Sequence, residues 1–378
     1  MDATSDPLNI FRATCKEFLM LEGAPNQQAW EDQGFVDRSF WRKAGEAGLL
    51  GITAPIEFGG RGITDYRYSA ALTEELVRAD VSAPGFVSHN DVVASYISAL
   101  GTSSQKERWL PDLCKGRKIA AIAVTEHSGG SNTAEMQTTA QPDGSNYIVT
   151  GGKAYITNGM QADLLVVAVK TPGGPQGSGI SLLVIDGDAP GLSRGQLHKK
   201  LGWHASDTAD LRFSECLVPK ENLLGRVNLG NMHFLAAMPR ERLSISIVAV
   251  TTAEAIMNVT LNHVRQRKAF GSPIGSLQYN RFDLARLHTE ISISRLYANA
   301  SIEKFNKGEF NTIEAAQLKL WTTEMQFKVA DRCLQLFGAG GYMASSEVAR
   351  KWTNSRVQTI YGGTSEVMLE IISKSLKL

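Results

Sequence analysis

Several short segments of this chain hold residue types that could do chemistry. In Ala123-Val124-Thr125-Glu126-His127-Ser128-Gly129-Gly130-Ser131-Asn132, two glycines and a serine let backbone N–H groups approach an anion closely. The Thr125 hydroxyl can donate to a heterocyclic carbonyl or ring nitrogen. The plainer reading is a hairpin turn after a strand. Tyr155-Ile156-Thr157-Asn158-Gly159 offers a ring for stacking and a hydroxyl, yet alone it is simply a strand end. Arg265-Gln266-Arg267-Lys268-Ala269-Phe270-Gly271 presents arginine forks suited to phosphate oxygens. Basic residues before a glycine also end helices without any ligand. Glu241, in Pro239-Arg240-Glu241-Arg242-Leu243, opens a long apolar stretch. With Pro239 at the first helical position it falls third, where an acid favours a helix start.

The elements that must carry these segments come in three regimes. Up to about residue 120 the apolar spacing is helical, as in Ser69 to Val77 and Asp91 to Leu100, with a Gly-rich interruption from Phe58 to Gly62. Asp6-Pro7 reads as an N-cap and first helical residue ahead of Phe11, Cys15, Phe18 and Leu19. From about 121 to 229 short β-prone runs (Tyr147–Val149, Leu164–Val169, Ile180–Ile185) alternate with turn signals at Asp143-Gly144, Gly151-Gly152 and Thr171 to Gly179. After about 230 three long helices are expected, near 241–265, 275–306 and 312–337, the second with Leu277, Leu284, Leu287 and Ile291 on one face. Asn311 and Glu314 form a capping box at the third. The expected fold is therefore α+β: a helical domain over 1–120, a β domain over 121–229 and a helical domain over 230–378.

The 39 basic and 38 acidic residues give a formal charge of +1, so no electrostatic footprint for nucleic acid or an anionic membrane is expected. Cys15, Cys114, Cys216 and Cys333 are far apart and fit neither a zinc site nor a disulfide framework, and His89 and His127 lack metal-ligand spacing. No metal is expected, and a reducing, cytoplasmic setting fits. Neither a targeting segment nor an apolar run of membrane-spanning length is expected.

Taken together the segments resemble the acyl-CoA dehydrogenase family, over essentially the whole chain. Arg356 to Met368, RVQTIYGGTSEVM, resembles its active-site closing segment. Many members place the catalytic glutamate directly after the tyrosine; here Gly362 follows Tyr361. The isovaleryl and long-chain branches instead place it early in the C-terminal domain, which makes Glu241 the candidate base. The resemblance implies an N-terminal α domain, a β-barrel-like middle domain, a C-terminal four-helix bundle and a homotetramer with FAD between the middle domain and two C-terminal domains. It implies that Val124, Thr125, Gly130, Ser131, Tyr155 and Thr157 contact the cofactor, Ser131 also approaching the acyl thioester. Arg267, chosen over Arg265, with Phe270 and Gln278 would reach a neighbouring subunit's FAD. Gln335 and Ala339, the latter replacing a usual glycine in Gln335–Tyr342, would lie near the adenine. Thr364 and Glu366 would lie around the adenosine diphosphate, Arg242 near CoA, Tyr361 at the substrate, and the Gly362 N–H would donate to the thioester oxygen. Leu201–Thr208 matches a middle-domain element read as mainly structural.

The resemblance thus implies an FAD-dependent acyl-thioester dehydrogenase, acting on acyl-CoA or acyl carrier protein and handing electrons to an electron-transferring flavoprotein. The alternatives are a same-fold oxidase or monooxygenase using dioxygen, and an inactive flavin-binding scaffold with Glu241 as a plain cap. Glycine at 362 should open space beside the substrate α-carbon and admit branched acyl groups.

Overall fold

The computed structural model describes residues 6–82, 85–174 and 178–377, leaving part of the Thr171–Gly179 turn outside the described residues. Its contacts divide into two compact units. One holds the chain up to Leu72, Val81–Lys200 and His204–Met238; the other holds Thr73–Asp80, Leu201–Trp203 and the chain from Pro239 onward.

In the first unit α1 (Pro7–Phe18) begins as expected, with the Asp6 carboxylate accepting from Leu8 N–H at 3.1 Å and Phe11, Cys15 and Phe18 buried. The helices α2 (Gln27–Gln33), α3 (Arg38–Glu46), α4 (Arg67–Arg78), α5 (Ser95–Leu100) and α6 (Ser103–Cys114) follow. The strands are β1 (Ala120–Ala123), β2 (Thr139–Asp143), β3 (Asn146–Thr157), β4 (Leu164–Pro172), β5 (Ser178–Asp186), β6 (Leu192–Leu197), β7 (Thr208–Pro219) and β8 (Leu223–Leu224). They form one sheet in the order β6-β7-β3-β2-β4-β5-β8, with β1 beside β4 in parallel.

The apolar run of β4 is buried on both faces, because alternate residues point to opposite sides of a strand. Leu164, Val166 and Ala168 pack with Trp109, Leu110 and Tyr96 of the helices. Leu165, Val167 and Val169 pack with Phe213, Leu211 and Val149 on the other side. One expectation fails here: Gly151-Gly152 is no turn but lies inside β3, where the register to β7 shifts. Gly151 sits at φ +145°, and a Cβ there would come 2.6 Å from Thr138 Cα, so a bulge and a close backbone approach explain the glycine.

The second unit is helical: α7 (Gly230–Gln266) from Pro239 on, α8 (Gln278–Asn306), α9 (Thr312–Leu336), α10 (Glu347–Arg356) and α11 (Ser365–Ser375), with a two-stranded hairpin, β9 (Lys268–Ala269) and β10 (Ser272–Pro273). α9 packs against α8, α10 and α11. Asn311 and Glu314 form the expected capping box, and Leu284, Leu287 and Ile291 are buried on α8. Leu277 is the N-cap residue of α8 and 38% exposed, off the buried face. α7 is long and apolar enough to cross a membrane by length and composition alone, but 72% of its most apolar stretch is buried inside the protein. On its second half Arg295 clamps α8 to α7, with Nε and Nη2 each donating to the Glu254 carboxylate at 2.7 Å.

Candidate active site

The expected start of α7 at Pro239 is the main correction. The helix begins at Gly230 and Pro239 lies inside it, so Glu241 is in the helix interior, beyond the first turn where an acid meets the macrodipole. The capping explanation of Glu241 falls with it. The carboxyl is half-buried by surface area, yet so closely surrounded that desolvation pushes its pKa up to about 7, against the opposing pull of the Arg242 charge.

Arg242 is 4% exposed and ties this helix to the closing segment, its Nε donating to the Gly362 carbonyl at a long 3.4 Å. Arg242 Nη1 is buried with no hydrogen-bond partner among the described residues. Gly362 has φ +66° and Gly363 φ +96°, left-handed conformations that favour glycine. A Cβ on Gly362 would come 2.3 Å from Ile245 Cδ1. Ile245, one helical turn beyond Glu241, therefore stands where a side chain at 362 would begin.

Tyr361 donates its hydroxyl to Gln358 Oε1 at 2.7 Å; though the residue is 36% exposed, its hydroxyl is closely surrounded, and that desolvation, helped by the nearby Glu241 charge, holds the phenol above its usual range. Its ring meets the edge of Trp203 at 6.1 Å, and Trp203 N–H donates to Asn354 Oδ1 at 2.5 Å. Trp203, in the stretch read from sequence as structural, thus stands against the closing segment. Lys319 of α9 has no surface exposure and donates Nζ to the Gly363 carbonyl at 2.7 Å; sequence reasoning missed it. Burial, with the Arg242 charge, lowers its pKa to about 8. A lysine inside the apolar pattern of α9 was the available signal.

Within the first unit, the 123–132 segment follows β1 and turns at a bridge between Glu126 and Gly129. Its anchor is Glu126, which accepts from Lys153 Nζ at 2.6 Å, Gln137 N–H at 2.6 Å and Thr138 N–H at 3.1 Å. These donors outweigh the cost of burial and hold its pKa down to about 2, while burial lowers that of Lys153 to about 8. The two shifts point opposite ways for the pair; at neutral pH it is ionised, because both values still bracket pH 7. Lys153 also reaches the Val124 carbonyl at 3.2 Å, and Ala154 N–H the Thr125 carbonyl at 2.8 Å, so the loop is fixed from below while Gly130 and Ser131 stay exposed.

Tyr155 is 58% exposed at φ +59°, held between the rings of His127 (5.2 Å) and His198 (5.4 Å). Asp210 organises this group, accepting from both imidazole Nε2 atoms at 2.7 Å and from Tyr155 N–H at 3.0 Å. His127 is thus hydrogen-bonded to Asp210, and His89, buried between Leu113 O and Ala120 N–H, is held neutral with a pKa of about 4 by its burial. Thr157 pairs with Thr208 at the end of β3. Among the described residues no cluster of three His, Cys, Asp or Glu could hold a metal, and the four cysteines are buried and free.

In the second unit Arg267 follows α7, exposed and without an ion pair among the described residues, and Phe270 at the hairpin tip is 97% exposed at φ +51°. Gln278 starts α8, and Gln335 and Ala339 are exposed at the end of α9, where Cβ atoms on Gly338 or Gly340 would meet nothing within 4 Å. Thr364 is the N-cap of α11, accepting from Val367 N–H at 3.3 Å, with Glu366 exposed in the first turn. These features fit a flavin dinucleotide. Left-handed bulky residues cost about 1–3 kcal/mol each and concentrate at ligand sites. Tyr155 bears that cost while exposed in the first unit, and Phe270 in the second, where Gly271 follows it and the exposed Arg267 precedes it by three residues.

Models of the acyl-CoA dehydrogenase N-terminal, middle and C-terminal domains match residues 5–117, 121–216 and 230–377. The chain is 36% identical over 370 residues to the mitochondrial long-chain specific acyl-CoA dehydrogenase of Rattus norvegicus, covering 97% of this chain and 86% of that protein. A crystal structure of acyl-CoA dehydrogenase from Geobacillus kaustophilus superposes with a TM-score of 0.96 at 41% identity, over 100% of both chains. An FAD-complexed acyl-CoA dehydrogenase from Bacillus anthracis superposes at 0.93 with 27% identity, over 99% of this chain and 68% of that one. With helical N- and C-terminal parts and a sheet between them in sequence, and side chains that fit the cofactor, the chain belongs to the acyl-CoA dehydrogenase family, FAD-dependent oxidoreductases acting on CH–CH groups.

Proposed function

We propose that this protein converts a saturated acyl-CoA to its α,β-unsaturated thioester, with Glu241 as the base that takes the α-proton. The observation that carries the reading is the carboxyl of Glu241 inside α7, desolvated to a pKa near 7 and electrostatically coupled to Tyr361 of the closing segment. A base with that proton affinity is half ionised at neutral pH and strong enough to share a proton with a thioester-acidified carbon. A plain helix cap would keep an ordinary carboxylate pKa, which weighs against the scaffold alternative.

The thioester oxygen gains negative charge as the α-proton leaves, and a fixed donor there lowers the barrier. Gly362 N–H is assigned that task. The unpartnered Arg242 Nη1 provides a second buried donor beside the base, suited to a polar group of the substrate. FAD, when bound, supplies the two-electron acceptor for the β-hydride. Val124, Thr125, Gly130, Ser131, Tyr155 and Thr157 would hold it; Gln335 and Ala339 would lie near an adenine and Thr364 and Glu366 around an adenosine diphosphate, while Arg267, on phosphate, Phe270 and Gln278 would reach a neighbouring subunit's FAD. Tyr361 and Trp203 would exclude water from Glu241 and keep its pKa raised.

We assign the electrons to an electron-transferring flavoprotein, the assembly to a homotetramer and the setting to the cytoplasm, where buried free thiols persist. The test is Glu241→Gln in the flavin-loaded protein, assayed with acyl-CoA and acyl carrier protein thioesters by mass spectrometry. Turnover should fall by about 10³-fold or more while flavin stays bound. Wild-type turnover in that variant would end the assignment, and hydrogen peroxide release on anaerobic reduction followed by air would favour the oxidase.

A further inference from the structure

We propose that Lys319 is a positioning residue for the reaction: its ammonium and the Arg242 guanidinium grip successive carbonyls of the Gly362-Gly363 turn, and so aim the Gly362 N–H at the thioester oxygen. This rests on the reading of Glu241 and Gly362 given above.

The turn has no ladder of its own, since residues 361–364 lie between helical segments, outside helix and sheet. Both glycines occupy the left-handed region, where the chain has the widest choice of conformations. Two side chains from separate helices remove that freedom. Lys319 Nζ, from α9, takes the Gly363 carbonyl at 2.7 Å, and Arg242 Nε, from α7, takes the Gly362 carbonyl at 3.4 Å. Because peptide groups are planar, holding these oxygens also orients the N–H groups of Gly363 and Thr364. Thr364 is locked further as the N-cap of α11. The 361–362 plane, which carries the Gly362 N–H, then lies between two held residues: Gly362 through its carbonyl, and Tyr361 through its own N–H, which donates to the Val357 carbonyl at 3.2 Å.

A lysine is a poor filler for this position. It has no surface exposure and no ion pair among the described residues, and it lies near a second buried cation. A methionine or leucine of similar volume would avoid burying a charge. What an apolar residue cannot do is hold a carbonyl, or add positive potential beside an oxygen that becomes negative in the transition state.

The test uses the flavin-loaded enzyme with Lys319→Met, Lys319→Gln and Lys319→Arg. One measurement is kcat and KM with the preferred acyl-CoA. The other is solvent deuterium entry at the α-carbon of a 3-thia-acyl-CoA, which has sulfur at the β position and no hydride to give. This second readout isolates proton transfer at Glu241 from oxidation. For Met and Gln, kcat and deuterium exchange should fall together by about 10- to 100-fold, the scale of a misplaced reacting group, with KM within about threefold. Arg should restore most of both, because it returns a charged donor. Gln keeps a polar atom in the pocket but is one bond too short to reach Gly363, so it decides the matter if the Met protein does not fold. A Gln variant with kcat within about twofold of wild type, a rise in KM alone, or a fall in kcat with exchange untouched would each overturn the proposal. Failure of the parent reading is separate: Glu241→Gln would then keep exchanging.

Discussion

Gly362 cannot carry a side chain at its present geometry, and this predicts what happens when the family's other glutamate position is rebuilt here. A residue with a Cβ at φ +66° costs about 1–2 kcal/mol in the left-handed region. Its Cβ would also stand 2.3 Å from Ile245 Cδ1, so the isoleucine must leave its rotamer or the turn must shift, at about 1–3 kcal/mol for overpacking. Gly362→Ala should therefore destabilise the fold by about 2–5 kcal/mol, read as a lower urea midpoint at unchanged slope. Ile245→Val removes the Cδ1 methyl itself, at about 0.5–1.5 kcal/mol on its own. In that background Gly362→Ala should cost only the backbone part, leaving a favourable coupling of about 1–3 kcal/mol in the double-mutant cycle. Moving the base by Glu241→Gln with Gly362→Glu should give a nearly inactive enzyme, and adding Ile245→Val should recover about tenfold. An Ala variant as stable as wild type, or a cycle with no coupling, would refute the packing argument.

The acidic limb of kcat/KM should bend at a pH near 7, with activity falling about tenfold per unit below it, because the working form of Glu241 is ionised. Neutralising Arg242 should move that bend upward, since its charge lowers the Glu241 pKa. The stability linkage has the opposite sign: a carboxyl raised from 4.5 to about 7 binds its proton more tightly when folded, so stability is lost as pH rises through that window. Glu241→Gln should therefore be more stable than wild type above pH 7, by about 1–2 kcal/mol after allowing for solvent at the half-buried group, in urea titrations at pH 5 and 8. Lys153→Met leaves the buried Glu126 without its cation and should cost about 3–5 kcal/mol and weaken flavin retention, measured by denaturation and flavin release. Arg267→Ala should weaken flavin binding by about 10- to 100-fold with little change in stability, measured by flavin titration of the apoprotein, because its exposed side chain supports nothing else.

The sequence by itself determined the order of helix, sheet and helix, because periods of 3.6 and 2 follow from where side chains point on each element. It also determined the caps at Asp6 and Asn311, which are local hydrogen bonds within a few residues. The segments around Thr125, Tyr155, Arg267 and Tyr361 were legible because each is a contiguous motif. Tertiary structure alone decided what Glu241 is. As sequence it was equally a helix cap, and only the extension of α7 back to Gly230 and the crowding around its carboxyl removed that reading. Ile245, Lys319, Trp203 and Asp210 act through contacts with segments far along the chain, and Gly151 through a strand register that no pair of glycines reveals. Local patterns record the direction of the backbone, whereas desolvation and the aim of a hydrogen bond depend on groups that meet only when the chain is folded.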